Sequence, residues 1–282
     1  MAWGADWPAP RQACQAKAWG LGEQLLRNVD PTMLILRLLN VIAPFYFLAL
    51  CLVTFALQVF FFLPSMYSGA LPSTAPLLHA VFFFFLLLNV LGNYTLVTRN
   101  TPADVRGSAR YSPAPAGSHF CRLCHRMTLK HDHHCFFTGN CVGGSNIRNF
   151  VLFCFYTACS CFYSMVLGVA YISALFSLSF ASPLTFLRLL PLSIERFFSG
   201  ALLCSEMFLV LMLYLWFGVG LACTGFCCHQ MLLILRGQTQ YQARKRRPWR
   251  ANLLQVFGKK WILGLLLPVL NVQSDPYRPK GD

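Results

Sequence analysis

Charge is what this sequence has least of. Only 11% of the 282 residues are Asp, Glu, Lys or Arg, and just nine are acidic. Ordinary soluble domains carry about 25% charged residues, so a water-soluble globule of this length is excluded for want of polar surface. Residues 1–32 lack the apolar core of a secretory signal; three tryptophans and several charges are spread through them instead. No internal repeat and no low-complexity tract is evident. What fills the chain is apolar: hydrophobic types make up 56% of it.

Four apolar runs can each cross a bilayer, which takes roughly 20 residues. They cover 41–63, 77–97, 150–178 and a stretch within 201–235, and none carries Lys or Arg before its last residues. Backbone groups in lipid must be satisfied within their own segment, which predicts helices. The expected fold is therefore an all-α integral membrane protein with four transmembrane helices. Its parts are an N-terminal segment (1–32), helices 1 and 2 (33–98), a cysteine-rich domain (99–149), helices 3 and 4 (150–235) and a basic tail (236–282).

The basic residues set the orientation. Four of the 23 Lys and Arg precede the first span, none joins spans 1 and 2, seven join spans 2 and 3, two join spans 3 and 4, and ten follow the last span. By the positive-inside rule both termini and the cysteine-rich segment are cytosolic. Its cysteines then lie in a reducing compartment, as thiols or metal thiolates rather than disulfides. The run ARKRRPWR (243–250) reads as an anchor to anionic lipid, and nucleic-acid binding is not expected of a tail held against a membrane. Cys51, Cys154, Cys159, Cys161, Cys204 and Cys223 fall inside apolar runs, where a free cysteine packs as a small hydrophobe. Cys227 and Cys228, nearer the cytosolic end, are also candidates for lipidation. Residues 107–118 (GSARYSPAPAGS) read as a flexible linker.

The chemistry concentrates in 119–141, HFCRLCHRMTLKHDHHCFFTGNC. Zinc takes four thiolate or imidazole ligands in a tetrahedron. Cys121 and Cys124 form a C-x2-C pair, His134 follows ten residues later, and Cys141 seven after that. These four make a Cys3His set that would staple a segment with almost no core of its own. Asp132, His133 and Cys135 are left over, beside a ligand and held by it. A cysteine next to a histidine and an acid is the arrangement of an activated thiolate nucleophile.

Asp132-His133-His134-Cys135, followed by Asn140-Cys141-Val142-Gly143, Asn146 and Phe150, resembles the DHHC family of protein S-acyltransferases. The resemblance extends over most of the chain, through the four spans to Asn252 and Val256-Phe257-Gly258 near the C-terminus. It implies that Cys135 takes an acyl group from palmitoyl-CoA and passes it to cysteines of membrane-associated proteins. His133 would be base and acid, Asp132 would orient it, and His134 would be a zinc ligand. The acyl chain would lie between the spans, with the CoA phosphates near Arg122, Arg126, Lys130 or Arg148. The family's usual setting is the membrane of the endoplasmic reticulum or Golgi.

The chain departs from the family pattern in three places. The first of the family's two zinc sites lacks its upstream cysteine pair, since no cysteine stands between Val97 and Cys121. Phe120 and Met127 occupy the other two ligand positions, so one zinc is expected, with His119 and His125 too few to close a second site. Phe136-Phe137 replace the usual Pro-Trp. Gln238-Thr239-Gln240-Tyr241 replace Thr-Thr-x-Glu, leaving Thr239 as a partner for Asp132. These changes motivate an alternative, a zinc-containing membrane adaptor or chaperone that turns over poorly. Paired polar residues are missing from the spans, which leaves an ion or metal transporter little support. Glu206 is expected near the lumenal end of the last span, solvated; His79 and His229 are expected to be interfacial or hydrogen-bonded.

Overall fold

The computed structural model describes residues 31–67, 74–102, 118–238, 248–259 and 261–268. Residues 1–30, the linker 107–117, Thr239, Gln240, Tyr241 and the basic run 243–247 lie outside the described residues.

In chain order the elements are α1 (Pro31–Tyr67), α2 (Ala75–Arg99), β1 (Ser118–Cys121), β2 (Arg126–Leu129), β3 (His131–Cys135), β4 (Asn140–Gly143), α3 (Ile147–Phe176), α4 (Pro183–Phe198), α5 (Cys204–Arg236), α6 (Trp249–Phe257) and α7 (Trp261–Leu266). Among the described residues α1, α2, α3 and α5 are long and apolar enough to cross a membrane. α3 is the central one: 61% of its most apolar stretch is buried, against 22–28% in the others. Large apolar side chains such as Phe45, Leu52 and Leu77 stay exposed on the outside of the bundle, as expected where lipid is the solvent.

At the end that carries the strands, called the hairpin end below, α1 starts ten residues and α3 three residues before the apolar runs at 41–63 and 150–178. There the added turns bring polar side chains such as Asn40 and Arg148 to their partners. α1 also contains a stretch, Leu57–Phe62, where the helix widens to π geometry. α5 closes on Gly237 in the left-handed region (φ 63°). A Cβ there would stand 2.7 Å from the Asn252 amide nitrogen, which donates to the Leu235 carbonyl at 3.0 Å. Glycine thus lets Asn252 cap α5 and seat α6.

Two elements go beyond the sequence reading. α4, in the connection between spans 3 and 4, is amphipathic and starts at a Ser182 cap that accepts the Leu184 N–H. It packs Phe186 and Leu189 on α5, where Tyr214 donates to the Phe186 carbonyl. The described part of the cysteine-rich segment, 118–143, forms two antiparallel hairpins, β1–β2 and β3–β4. Glu206 sits in the first turn of α5, where its carboxylate accepts the Leu203 N–H at 2.9 Å; an acid there favours the positive helix end. His79 bonds to the Tyr163 hydroxyl at 2.7 Å, and His229 is exposed.

α7 is held by its end. The last carbonyls of a helix have no partner within it. Arg148 donates to the Gly264 carbonyl (3.1 Å), Tyr156 to that of Leu265, and Asn89 to that of Leu266 (3.2 Å). A Cβ on Gly264 would lie 2.2 Å from the buried Arg148 guanidinium. Gly264→Val should therefore break that bond and lower stability by about 2 kcal/mol, the scale of a hydrogen bond to a charged group. Thermal unfolding of the purified protein measures it; an unchanged midpoint would contradict the docking.

Candidate functional site

The hairpins sit on the bundle through asparagines. Asn140 donates to the Val97 carbonyl at 2.9 Å, and Asn146 to those of Asn100 (2.8 Å) and Cys141 (2.9 Å) while accepting the Gly143 N–H. Asn149 donates to Asn93 Oδ1 at 3.1 Å inside the bundle. Each of these side chains is buried, so β4 is fixed on the ends of α2 and α3.

Successive residues of a strand point to opposite faces. In β3 that puts His134 on one face and His133 with Cys135 on the other; the register breaks between His131 and His133, which takes Asp132 out of the alternation and lets its carboxylate reach His133. His134 pairs across the hairpin with Cys141. Its Nδ1 lies 3.6 Å from Cys121 Sγ, 3.4 Å from Cys124 Sγ and 3.8 Å from Cys141 Sγ; the last two sulfurs are 3.5 Å apart. All four ligand atoms fall within 4.8 Å of one another. Zinc–sulfur bonds of ~2.3 Å in a tetrahedron put sulfurs about 3.8 Å apart, so the set fits a zinc ion. The thiols press on each other accordingly. Hydrogen bonds from Cys141 and His134 hold Cys124 down to about 4, while the same contact with Cys124, together with burial, pushes Cys141 far up. A cation is what would let all three ionise.

The remaining face of His134 is also occupied: Nε2 stands 2.8 Å from Asn40 Oδ1 in α1. That bond takes the Nε2 proton and leaves the Nδ1 lone pair on the cluster. Asn40→Ala should weaken zinc binding about 10–100-fold, read by competition with a chromophoric chelator. Wild-type affinity in the variant would count against the contact.

On the opposite face, His133 Nδ1 lies 3.1 Å from Asp132 Oδ2 and its ring meets Phe150 edge-on at 5.0 Å. Asp132 is buried and also accepts from Gln230 of α5 at 2.6 Å. Cys135 packs against the core formed by Phe47, Tyr94, Phe150 and Phe153. Burial works against a protonated His133, but hydrogen bonds to Asp132 and Cys135 outweigh it and raise the ring to about 9. Burial also pushes the Cys135 thiol up; hydrogen bonds to His133 and Thr138 more than offset this, and the net shift is downward. The arrangement favours a thiolate beside an imidazolium, the state of an activated sulfur nucleophile.

All seven sequence-predicted site residues thus meet within β1–β4, three on one face and the metal set on the other. Of the four cations suggested for CoA phosphates, Arg122 and Arg126 are exposed and Lys130 is half-buried. Arg148 is turned inward onto α7, so it is not at the rim. Phe136 packs edge-on to His134 (5.3 Å), and Phe137 is exposed. Phe120 and Met127, at the positions of lost ligands, are cross-strand partners in β1–β2. His119 stacks on His131 at 4.9 Å, and His131 bonds to Thr128 Oγ1 at 2.8 Å. Burial and the neighbouring His119 lower His131 to about 4, so it stays neutral. Among the described residues no second group of three or more ligands converges. Sequence reasoning missed Asn40 and Gln230; an amide in a mostly apolar helix was the available signal.

The fold and this two-faced hairpin define a class, and the comparisons agree: a family model for the DHHC palmitoyltransferases matches residues 108–247. The chain belongs to the DHHC palmitoyltransferase family. It is 62% identical over 256 residues to Palmitoyltransferase ZDHHC22 of Homo sapiens, covering 86% of this chain and 97% of that protein. The protein of the same name from Danio rerio is 46% identical over 261 residues, covering 86% and 95%. Probable palmitoyltransferase ZDHHC24 of Homo sapiens is 33% identical over 208 residues, covering 66% and 72%.

Proposed function

We propose that this chain is a protein S-acyltransferase that moves palmitate from palmitoyl-CoA to cysteine thiols of membrane-associated proteins, through an acyl-enzyme on Cys135. The observation that carries this reading is the Gln230–Asp132–His133 chain ending at Cys135, on the hairpin face that meets the bundle.

In the first step the Cys135 sulfur attacks the thioester carbonyl. The bond to the CoA sulfur breaks, and His133 gives that sulfur its proton. In the second step a substrate thiol passes its proton to His133 and attacks the acyl-enzyme, releasing Cys135. Asp132 holds the ring with Nδ1–H toward itself, which leaves Nε2 as the working nitrogen, and Gln230 holds Asp132. Cys121, Cys124, His134 and Cys141 would hold one zinc ion, whose contribution is to fix the hairpin on which these groups stand.

A narrow cavity between α1, α2, α3 and α5 is lined by Phe47, Cys51, Thr54, Val90, Thr157 and Trp216. Trp216 lies fourteen residues before Gln230 in α5, about 21 Å at 1.5 Å per residue. One leaflet, half of a ~30 Å hydrocarbon core, is itself a long acyl chain deep. The depth suits a palmitoyl chain ending near the Trp216–Thr54 hydrogen bond (3.0 Å); the cavity is about 30 Å³, so the spans would part to admit the chain. The charge distribution supports cytosolic termini and a cytosolic hairpin end, and the family setting supports the endoplasmic reticulum or Golgi membrane.

The test is incubation of purified protein with labelled palmitoyl-CoA. Wild type should carry hydroxylamine-sensitive label, and Cys135→Ser should carry none. Equal labelling of the two would defeat the assignment, and an unlabelled wild type with its zinc in place would favour the adaptor reading.

A further inference from the structure

A second apolar groove lies outside the four-span cavity and shares no lining residue with it. Its volume is about 630 Å³, within the ~300–1,000 Å³ of small-ligand sites. Val151 and Phe155 of α3 and Cys227 of α5 form one wall; Leu254 of α6 and Trp261 of α7 form the other. Phe155 is eight residues from the start of α3 and Cys227 nine from the end of α5. At 1.5 Å per residue both lie within about 14 Å of the hairpin end, so the groove spans one leaflet.

Its rim has a different chemistry. Arg250 is the one charged residue among those lining the groove, and no acid lines it. It is exposed, with its guanidinium carbon 5.3 Å from the Trp249 ring centre. Trp249 and Trp261 are half exposed, at 54% and 49%, and tryptophans gather at the membrane–water interface. In the sequence Arg244, Lys245, Arg246 and Arg247 immediately precede Pro248. An apolar trough, a tryptophan collar and a cationic lip match an acyl chain joined to a negatively charged head group.

We propose that this groove holds an anionic phospholipid of the hairpin-side leaflet, its chain against α3 and α5 and its phosphate at Arg250. The lipid then fills the space between the spans and α6–α7. The choice of leaflet rests on the orientation proposed above; the occupancy requires no turnover at Cys135.

The test uses the full chain in phosphatidylcholine nanodiscs containing a phosphatidylserine with a photoactivatable acyl chain, or the matching photoactivatable phosphatidylcholine. Phosphatidylserine adducts should map to peptides containing 151–155 or 249–261. Arg250→Gln should reduce them about fivefold, the weight of one basic residue at an anionic surface, while phosphatidylcholine adducts stay unchanged. Leu254→Trp, which fills the trough, should reduce the phosphatidylserine adducts as well. Equal labelling by both lipids, indifference to Arg250→Gln, or adducts spread around Leu52 and Leu77 would overturn the proposal. Displacement of the adduct by palmitoyl-CoA would overturn it too, by giving the groove another occupant. Self-acylation of Cys135 measured on the same samples separates loss of the lipid from loss of the enzyme.

Discussion

Cys141→Ser should strip the protein of zinc and of its transferase activity together. The Cys141 side chain is fully buried, faces His134 across the β3–β4 hairpin, and belongs to the four-ligand set. The hairpins have little else to fold on: each sheet has two strands, and isolated two-stranded hairpins are marginal in water. Structural zinc sites contribute about 10–16 kcal/mol, as much as the whole stability of a typical domain, ~5–15 kcal/mol. Metal content should fall from about one zinc per chain to background, and label on Cys135 should fall with it. Elemental analysis and the labelling assay read the two losses. Retained zinc with retained label would show that another set holds the ion. Close to two zinc ions per wild-type chain would contradict the single-site reading, which rests on an apolar Phe120–Met127 pair where ligands would stand.

Asp132→Asn should leave the zinc in place and cut self-acylation by about 10²–10⁴-fold, the usual weight of a positioned acid–base group. The carboxylate is buried, bonded to His133 and Gln230, and on the face away from the metal set. The substitution keeps the size and removes the charge. Burial alone would lower His133; its bonds to Asp132 and Cys135 raise it to about 9. The ring is therefore protonated below that pH and loses its proton above it. Wild-type self-acylation should fall on the alkaline side near pH 9, as the acid that protonates the leaving sulfur is lost. In the variant one raising cause is gone, so the fall should begin at lower pH. A pH–rate profile with an unmoved alkaline limb would remove Asp132 from this role. Gln230→Leu, which takes one bond from a carboxylate that keeps the other, should produce a smaller change in the same direction.

Much of this was legible in the sequence, and for a physical reason. A bilayer accepts few backbone solutions, so four apolar runs sufficed for four helices. Metal ligands in a short loop declare themselves by spacing, because the chain between Cys121 and Cys141 is too short to put them far apart. Spacing put His134 in the metal set and left His133 beside Cys135, and the family resemblance gave the two histidines the same separate parts. The regular stretch His133–Cys135 of β3 sends these two neighbours to opposite faces. The hairpins themselves were not foreseen, for a cysteine-rich segment takes its shape from its ligands rather than from hydrophobic periodicity.

Composition and local spacing alone determined the membrane class, the four spans, the Cys121–Cys124–His134–Cys141 set and the Asp132–His133–Cys135 group. Only the tertiary structure decided who holds them. Gln230 reaches Asp132 across 98 residues of chain, Asn40 reaches His134 across 94, and Arg148 caps α7 from 116 residues away instead of facing solvent. Within its own helix each is a polar residue on a mostly apolar span, and nothing local names its partner. The cost of leaving such a group unpaired among apolar neighbours makes a partner necessary. The packing of the helices chooses which partner it is.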